Sequence, residues 1–281
     1  MMGQEAARSS TTSGTSSWNM EQDRRNWEVL RRHHADIALL CEAAPPPPTS
    51  LPSIGKWRTR GLDCPHRDEA SCTCRPWSTA IVSSQPVDEI KDARVSRGGR
   101  QLFYGPSRPG SWIAGVVRDV PGFGTVTVIS LYGLLDERSD ASVHRSLSEL
   151  APVFDRRGYS RFLLLGGDLN TLGIAKAGTR RLAKDMGVLQ RIIQGFGLVD
   201  LLQRDLLKRK RRRGHLQGCP CSFGEECTHT WTHRHPGSDI PYQDDYLFAS
   251  HALAERMDRC RAVDFADDAT SDHAPIVATF S

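Results

Sequence analysis

Arg161-Phe162-Leu163-Leu164-Leu165-Gly166-Gly167-Asp168-Leu169-Asn170 points to a layered α/β fold. An apolar run of strand length stops on two glycines and then delivers a carboxylate and an amide. Near the carboxy terminus the order is reversed. Ser271-Asp272-His273 comes first, and the apolar run Ala274-Pro275-Ile276-Val277-Ala278-Thr279-Phe280 follows. Both strings set chemistry-bearing groups at the ends of buried strands, where open α/β sheets usually keep their sites.

Outward from these anchors, strands and helices alternate. The pattern predicts a helix from about Glu21 to His34, then a strand over Ala35 to Leu40. Pro45-Pro46-Pro47-Pro48 reads as an extended surface loop. Ser78 to Ser84, Ser111 to Val117 and Thr125 to Leu131 read as strands, rich in Val, Ile or Thr and bounded by Gly or Pro. Val143, Leu147, Leu150 and Phe154 recur at helical spacing, with Ser139 or Asp140 as cap. Further helices are expected around Arg180 to Phe196 and from Asp200 onward, and strands at Tyr246 to Ala249 and Pro275 to Phe280. Ser9 to Ser17 is an unbroken Ser/Thr/Gly stretch. It lacks apolar surface to bury, so residues 1–17 are expected to be a disordered tail and 18–281 one domain.

Composition is that of an ordinary globular chain: 281 residues, 38% hydrophobic and 25% charged. No apolar stretch approaches the roughly 18 residues of a membrane span, and the amino terminus has no apolar signal core. The expectation is therefore a soluble, cytoplasmic protein with no membrane segment. The formal net charge of +4 conceals a local field, because Lys208-Arg209-Lys210-Arg211-Arg212-Arg213 is unbroken. Such a run is either a solvated helix end or a contact for a polyanion such as nucleic acid.

Several strand ends carry oxygen donors. Glu42 follows Asp36-Ile37-Ala38-Leu39-Leu40-Cys41, Asp168 and Asn170 follow Leu165, and Asp272 precedes the last strand. Asn19 in Ser17-Trp18-Asn19-Met20 and Asp245 in Gln243-Asp244-Asp245-Tyr246-Leu247-Phe248 extend the pattern. Hard oxygen ligands suit Mg²⁺ or Mn²⁺, and hydrolysis of a phosphate ester needs such an ion, a base for water and a donor for the phosphoryl oxygens. Taken singly, each residue also fits a turn or a surface position.

Order changes the weight of these single residues. Trp18-Asn19-Met20, a strand ending in Glu42, Ser130-Leu131-Tyr132-Gly133, Gly167-Asp168-Leu169-Asn170, Asp245-Tyr246-Leu247-Phe248 and Ser271-Asp272-His273 follow one another along the chain. This succession resembles the endonuclease/exonuclease/phosphatase superfamily, the DNase I-like fold, over residues 18–281. The resemblance implies an α/β four-layer sandwich, two packed mixed β-sheets flanked by helices. It further implies that Glu42 is the principal metal ligand, with Asn19 and Asp272 close to the same ion or a second one, and that Asp168 activates or orients the attacking water. Asn170 would hold the scissile phosphate, and His273 would donate to a phosphoryl oxygen with Asp245 behind it. Tyr132 stands where the family keeps a Tyr or His facing the phosphate. Cys41 replaces the usual Gln before the metal Glu, and Gln243 replaces an Arg often found two residues before the matched Asp.

The function implied is a divalent-metal-dependent phosphodiesterase, a nuclease acting on DNA or RNA. A phosphomonoesterase or a lipid or inositol phosphatase on the same scaffold is the alternative. From another class comes a zinc-stabilised nucleic-acid-binding module without turnover, using the basic run and exposed aromatics such as Trp57, Trp77 and Trp112.

Two loop insertions, about 62–76 and 214–231, mirror each other. Cys64, His66, Cys72 and Cys74 form one set, and Cys219, Cys221, Cys227 and His229 the other. Three thiols and an imidazole suit tetrahedral structural Zn²⁺, as one ion per segment or as sites shared between them. Disulfides fit less well in a chain read as cytosolic. Cys41 and Cys260 are expected to be buried thiols. His233 and His235 either reach substrate or, as the favoured reading, are solvent-exposed.

Overall fold

Alternation along the central strands sorts the apolar side chains into separate layers, and that sorting builds the molecule. The computed structural model describes residues 13–21, 23–43, 53–55, 58–59, 76–77, 79–90, 95–97, 100–102, 106–108, 110–134, 139–171, 186–213, 232–233, 243–263 and 271–281. The strands, in chain order, are β1 (Ser13–Asn19), β2 (Ile37–Cys41), β3 (Ser53–Gly55), β4 (Arg58–Thr59), β5 (Pro76–Trp77), β6 (Ala80–Ser83), β7 (Val87–Glu89) and β8 (Val95–Arg97). They continue with β9 (Arg100–Leu102), β10 (Trp112–Val120), β11 (Gly124–Leu131), β12 (Leu163–Asp168), β13 (Leu198–Asp200), β14 (Asp245–Ser250), β15 (Met257–Ala262) and β16 (Ile276–Phe280). The helices are α1 (Asn26–Arg32), α2 (Ser139–Phe154), α3 (Arg157–Ser160), α4 (186–190, running into a π turn at Arg191–Gly195), α5 (Leu201–Arg213) and α6 (His251–Ala254).

Two six-stranded sheets, ordered β15-β16-β1-β2-β6-β3 and β13-β14-β12-β11-β10-β7, lie face to face. Ile37, Leu39, Leu164, Leu247, Ala249, Ile276 and Phe280 meet between them. Their sequence neighbours point the other way, as a period of two demands. Ala38 and Leu40 join Trp27, Val29 and Leu30 of α1 outside one sheet. Leu163, Leu165, Tyr246 and Phe248 join Val143, Leu147 and Leu150 of α2 outside the other. Strands buried on both faces read as continuous apolar runs, which is why Leu163-Leu164-Leu165 was so legible. Each fully buried Leu contributes roughly 1.5–3 kcal/mol relative to exposure. The result is helix, sheet, sheet, helix, the four layers expected. α5 sends Leu201 and Leu202 into the space between the sheets, near the edge strands β13 and β15.

Both sheets are mixed. β1 runs parallel to β2 and antiparallel to β16, and β12 runs parallel to β11 and antiparallel to β14. The exits of β1, β2 and β12 therefore share one pole with the starts of β14 and β16.

The tail expected over residues 1–17 is corrected over 13–17, and residues 1–12 lie outside the described residues. Ser13 to Ser17 belong to β1, an interior strand bonded to both β16 and β2. Ser16 and Ser17 are fully buried. Small side chains suit the place, because β1 crosses closest to Gly166: a Cβ there would stand 2.8 Å from Ser17 Oγ. The polar composition concealed a strand whose burial is imposed by backbone pairing on both sides. Helix α1 is shorter than the Glu21 to His34 expected, since Glu21 holds φ at 44° and starts a turn that precedes the helix. Trp112, read as an exposed aromatic, is 5% exposed, and its indole N–H donates to Glu149 at 2.7 Å. The eight expected zinc ligands, Cys64, His66, Cys72, Cys74, Cys219, Cys221, Cys227 and His229, lie outside the described residues, as do Trp57 and His235. Cys41 and Cys260 are free and buried.

Candidate active site

Glycines let two segments touch at the pole where the strand ends converge. Gly167 adopts φ of 150°, and a Cβ on it would lie 1.9 Å from the Leu131 carbonyl oxygen. A Cβ on Gly133 would lie 2.1 Å from the Leu169 carbonyl oxygen. The glycines of Ser130-Leu131-Tyr132-Gly133 and Gly166-Gly167-Asp168 thus interlock, with Gly133 N–H donating to Asp168 O at 2.8 Å. Only such close backbones bring Asp168 under the exits of β1 and β2.

Asp168 is 1% exposed. Its Oδ2 accepts from the side-chain amides of Asn19 at 2.9 Å and Asn170 at 3.2 Å, and its Oδ1 accepts from Asn170 N–H at 2.8 Å. Asn170, at φ of 49°, also donates to Gly133 O at 2.8 Å, so its amide steadies the carboxylate in this state. Cys41, in the place of the usual Gln, lies beneath: its Sγ accepts from Asp168 N–H at 3.4 Å and donates to Leu131 O at 3.4 Å. Burial raises the Cys41 thiol well above its ordinary value, so it stays protonated.

Facing Asp168 is His273, whose Nε2 stands 3.9 Å from Asp168 Oδ2 and 3.6 Å from Asp272 Oδ1. Its Nδ1 bonds Asp245 Oδ2 at 2.8 Å, so Asp245 sets ring orientation and tautomer. The turn carrying it is pinned on both sides. Ser271 Oγ donates to Asn19 O at 2.8 Å, and the Trp18 indole donates to His273 O at 2.8 Å. Glu42 holds φ at 46° and accepts a bond from the Tyr132 hydroxyl. Asn19 accepts from Glu21 N–H at 3.0 Å.

His233 departs from its favoured reading as well. Read as solvent-exposed, it is 13% exposed at its side chain and stacks on His273 with ring centroids 4.2 Å apart and planes within 6°. Its Nδ1 bonds Asp244 Oδ2 at 2.8 Å and its Nε2 stands 3.3 Å from Asp272 Oδ2. The adjacent acids Asp244 and Asp245 thus each hold one imidazole. Glu21, also missed, lies half-buried beside Asp272. The doubled Asp244-Asp245 was the available signal for a second imidazole; nothing in the sequence singled out Glu21.

Electrostatics follow from this crowding. Burial, reinforced by Asp272 and then Glu42, lifts Glu21 to about 7. Burial pushes Asp168 well above the usual carboxylate range; His273 opposes the rise, while Asp245 and Asp244 add to it. Burial opposes a charge on His273, but Asp245 and Asp168 outweigh it, so its pKa is raised. For His233, burial is outweighed by the bonds to Asp244 and Asp272, and the pKa rises to about 9. Burial likewise works against Asp272, yet His233, Glu21 and the charge of His273 lower it to about 2.

These residues fit a divalent cation. Glu21 shares a hydrogen bond with Asp272 and feels the charge of Glu42, and among the described residues one buried oxygen each of Asp244, Asp245 and Asp272 has no hydrogen-bond partner. Two sets, His233/Asp272/His273 and Asp168/Asp245/His273, have their donor atoms within 4.8 Å of one another. The structure therefore gathers Asn19, Asp168, Asn170, Asp245, Asp272 and His273, with Glu42 and Tyr132 beside them. The basic run starts elsewhere. Lys208 donates to Met257 O at 3.3 Å, and Met257 pairs with Phe280, at the end of β16 remote from His273. Arg209 pairs with Asp205 at 2.6 Å. The side chains of Lys210, Arg211, Arg212 and Arg213 are outside the described ones.

Neither a protein-family model nor a curated protein matches the sequence. Solved structures do. An AP endonuclease from Archaeoglobus fulgidus superposes with a TM-score of 0.59 at 15% identity, covering 96% of this chain and 99% of that one. The 3′ phosphatase NExo from Neisseria, bound to a product DNA hairpin, gives 0.57 at 19%, over 96% and 99%. The endonuclease domain of TRAS1, a telomere-specific non-LTR retrotransposon, gives 0.56 at 16%, over 95% and 98%. With two mixed sheets, helices on their outer faces and 95–96% of its length covered by such structures, this chain has the DNase I-like fold of the endonuclease/exonuclease/phosphatase proteins.

Proposed function

We propose that the protein is a divalent-metal-dependent phosphodiesterase that hydrolyses DNA or RNA. The observation that carries this reading is the Asp245–His273 pair, with Nε2 turned to the buried Asp168 and to Asp272. A basic, buried carboxylate suits a general base, and Asp168 takes a proton from the attacking water. Asn19 and Asn170 hold that carboxylate in place. His273 donates through Nε2 to a phosphoryl oxygen as charge develops, and Asp245 stabilises the imidazolium. Glu42, Asp272 and Asn19 would hold Mg²⁺ or Mn²⁺, with Glu21 alongside. The bound ion supplies Lewis-acid stabilisation of the phosphoryl oxygens. Tyr132 fixes the Glu42 carboxylate.

Support for a nucleic-acid substrate comes from the similarity to an AP endonuclease and to a retrotransposon endonuclease domain. A second reading, removal of a phosphate monoester from a DNA end, is favoured by the similarity to the 3′ phosphatase NExo. Structural zinc in the two Cys/His segments and a phosphate contact by Lys210 to Arg213 belong to the same proposal. The test is a panel of single- and double-stranded DNA and RNA, oligonucleotides ending in 3′-phosphate, and small phosphate monoesters, each with Mg²⁺, Mn²⁺ or chelator. Metal-dependent cleavage of an oligonucleotide supports the main reading. Phosphate release from intact oligonucleotides selects the second, and no metal-dependent turnover of any member overturns both.

A further inference from the structure

Besides the groups that the proposed hydrolysis uses, the pole holds a second imidazole on its own buried acid. We propose that His233 is a nitrogen ligand at the Asp272 cation position, so that this site favours a first-row divalent ion such as Mn²⁺ over Mg²⁺. The proposal rests on the reading that Asp272 holds the ion.

Three geometric observations carry it. First, Asp244 Oδ2 engages His233 Nδ1 at 2.8 Å, which leaves Nε2 as the end presented to the cluster. A carboxylate behind an imidazole is the usual arrangement for a metal-ligating histidine, because it fixes the ring and raises its basicity. Second, Nε2 stands 3.3 Å from Asp272 Oδ2. Bonds of about 2.1 Å to one ion at angles near 90–110° separate neighbouring ligand atoms by roughly 3.0–3.4 Å. An ion there would occupy the place of a proton on Nε2, since imidazole ligates in its neutral form. Third, the two rings lie within 6° of parallel at 4.2 Å, so their Nε2 lone pairs run side by side and do not converge. One ion in the plane of His233 thus leaves His273 for the phosphoryl oxygen.

The segment is held firmly enough for a ligand. Thr232 Oγ1 accepts from the N–H groups of Asp244 and Asp245, both at 3.1 Å, and Thr232 O accepts from Ala274 N–H at 2.6 Å. Mg²⁺ prefers oxygen, whereas a nitrogen donor added to carboxylates shifts preference toward the first-row transition ions.

Manganese itself is the probe. Full-length protein is titrated with Mn²⁺ by electron paramagnetic resonance, pulsed spectra are read for ¹⁴N coupling, and Mg²⁺ is used as competitor. The expected result is bound Mn²⁺ with nitrogen coupling that persists in His273→Asn and vanishes in His233→Asn. His233→Asn should also weaken Mn²⁺ by at least about 10–100-fold while Mg²⁺ changes little, since loss of even an outer partner of a metal ligand costs that much. Wild-type protein that binds Mn²⁺ through Asp272 without nitrogen coupling overturns the proposal and leaves the hydrolase reading standing; this arm needs no His233 variant to fold. Coupling retained in His233→Asn overturns it too. Mn²⁺ binding unaffected by Asp272→Asn, or absent altogether, defeats the assignment of the ion to Asp272, and the proposal with it.

Discussion

Two parallel imidazoles, each resting on one of the adjacent acids Asp244 and Asp245, dominate the pole at the scale of single residues. Asp245→Asn removes the charge behind His273 with little change in shape. Turnover should fall about 10²–10⁴-fold. Because Asp245 helps to raise the His273 pKa, the alkaline limb of the pH–rate profile should also move to lower pH. An unmoved limb would show that Asp245 does not govern His273. Stability of the metal-free protein carries a sign as well. Glu21 is raised from 4.5 to about 7, so its contribution is fully present below 4.5 and is lost as pH rises through about 7. His233 is raised from 6.5 to about 9, so its contribution is present below 6.5 and lost through about 9. Asp272, lowered from 3.8 to about 2, acts oppositely and only in acid: its contribution is present above 3.8 and lost as pH falls through about 2. Thermal unfolding in chelator should therefore show Tm declining from about pH 5 to 9, with the decline flattened by Mn²⁺. A Tm that climbs over that range contradicts these assignments.

Elements differ in how openly the sequence announces them. β12 and β14 are apolar on both faces and end in Asp168 or begin at Asp245, so their type and site residues were readable together. β15 was not read, because its period is broken. Only Met257 and Cys260 are buried, Asp258 and Arg259 are exposed, and the register slips between Met257 and Arg259. β1 was misread for another reason: its stabilisation comes from neighbours more than 20 residues away, and composition does not report them. A variant lacking residues 1–17 should lose the cooperative unfolding transition, measured by circular dichroism, since the central ladder of one sheet goes with β1. Retained cooperative unfolding would restore the tail reading. Gly167→Ala should destabilise by about 3 kcal/mol in denaturant titration, through overpacking and a left-handed backbone that Ala disfavours. A change under about 0.5 kcal/mol would mean that β11 and β12 have room to part.

For the whole molecule, the distribution of charge matters more than the net +4. The sequence displayed six consecutive cations but could not say which pole they occupy, because that depends on where α5 packs. Lys208 and Arg209 are engaged within the chain at a distance from the catalytic pole. Replacing Lys210 to Arg213 with Ser should therefore weaken nucleic-acid affinity and flatten its salt dependence by up to about 0.9 per lost phosphate contact, with kcat unchanged. Loss of kcat at unchanged affinity would move the run into the catalytic pole. The fold itself was legible because Asp168 closes β12, a strand buried from both sides, and Ser271-Asp272-His273 directly precedes the apolar β16. His233 was not, because its significance lies in a stacking that joins positions 40 residues apart.

If the buried Asp168 activates water for attack on a phosphate ester, removing its charge must stop turnover without unfolding the protein. Cleavage of the oligonucleotide that wild-type protein hydrolyses is measured for Asp168→Asn at saturating Mg²⁺ or Mn²⁺, with circular dichroism confirming the fold. The account predicts turnover lower by about 10³-fold. Turnover within about threefold of wild type, against the 10²-fold or more that loss of a general base costs, would contradict it.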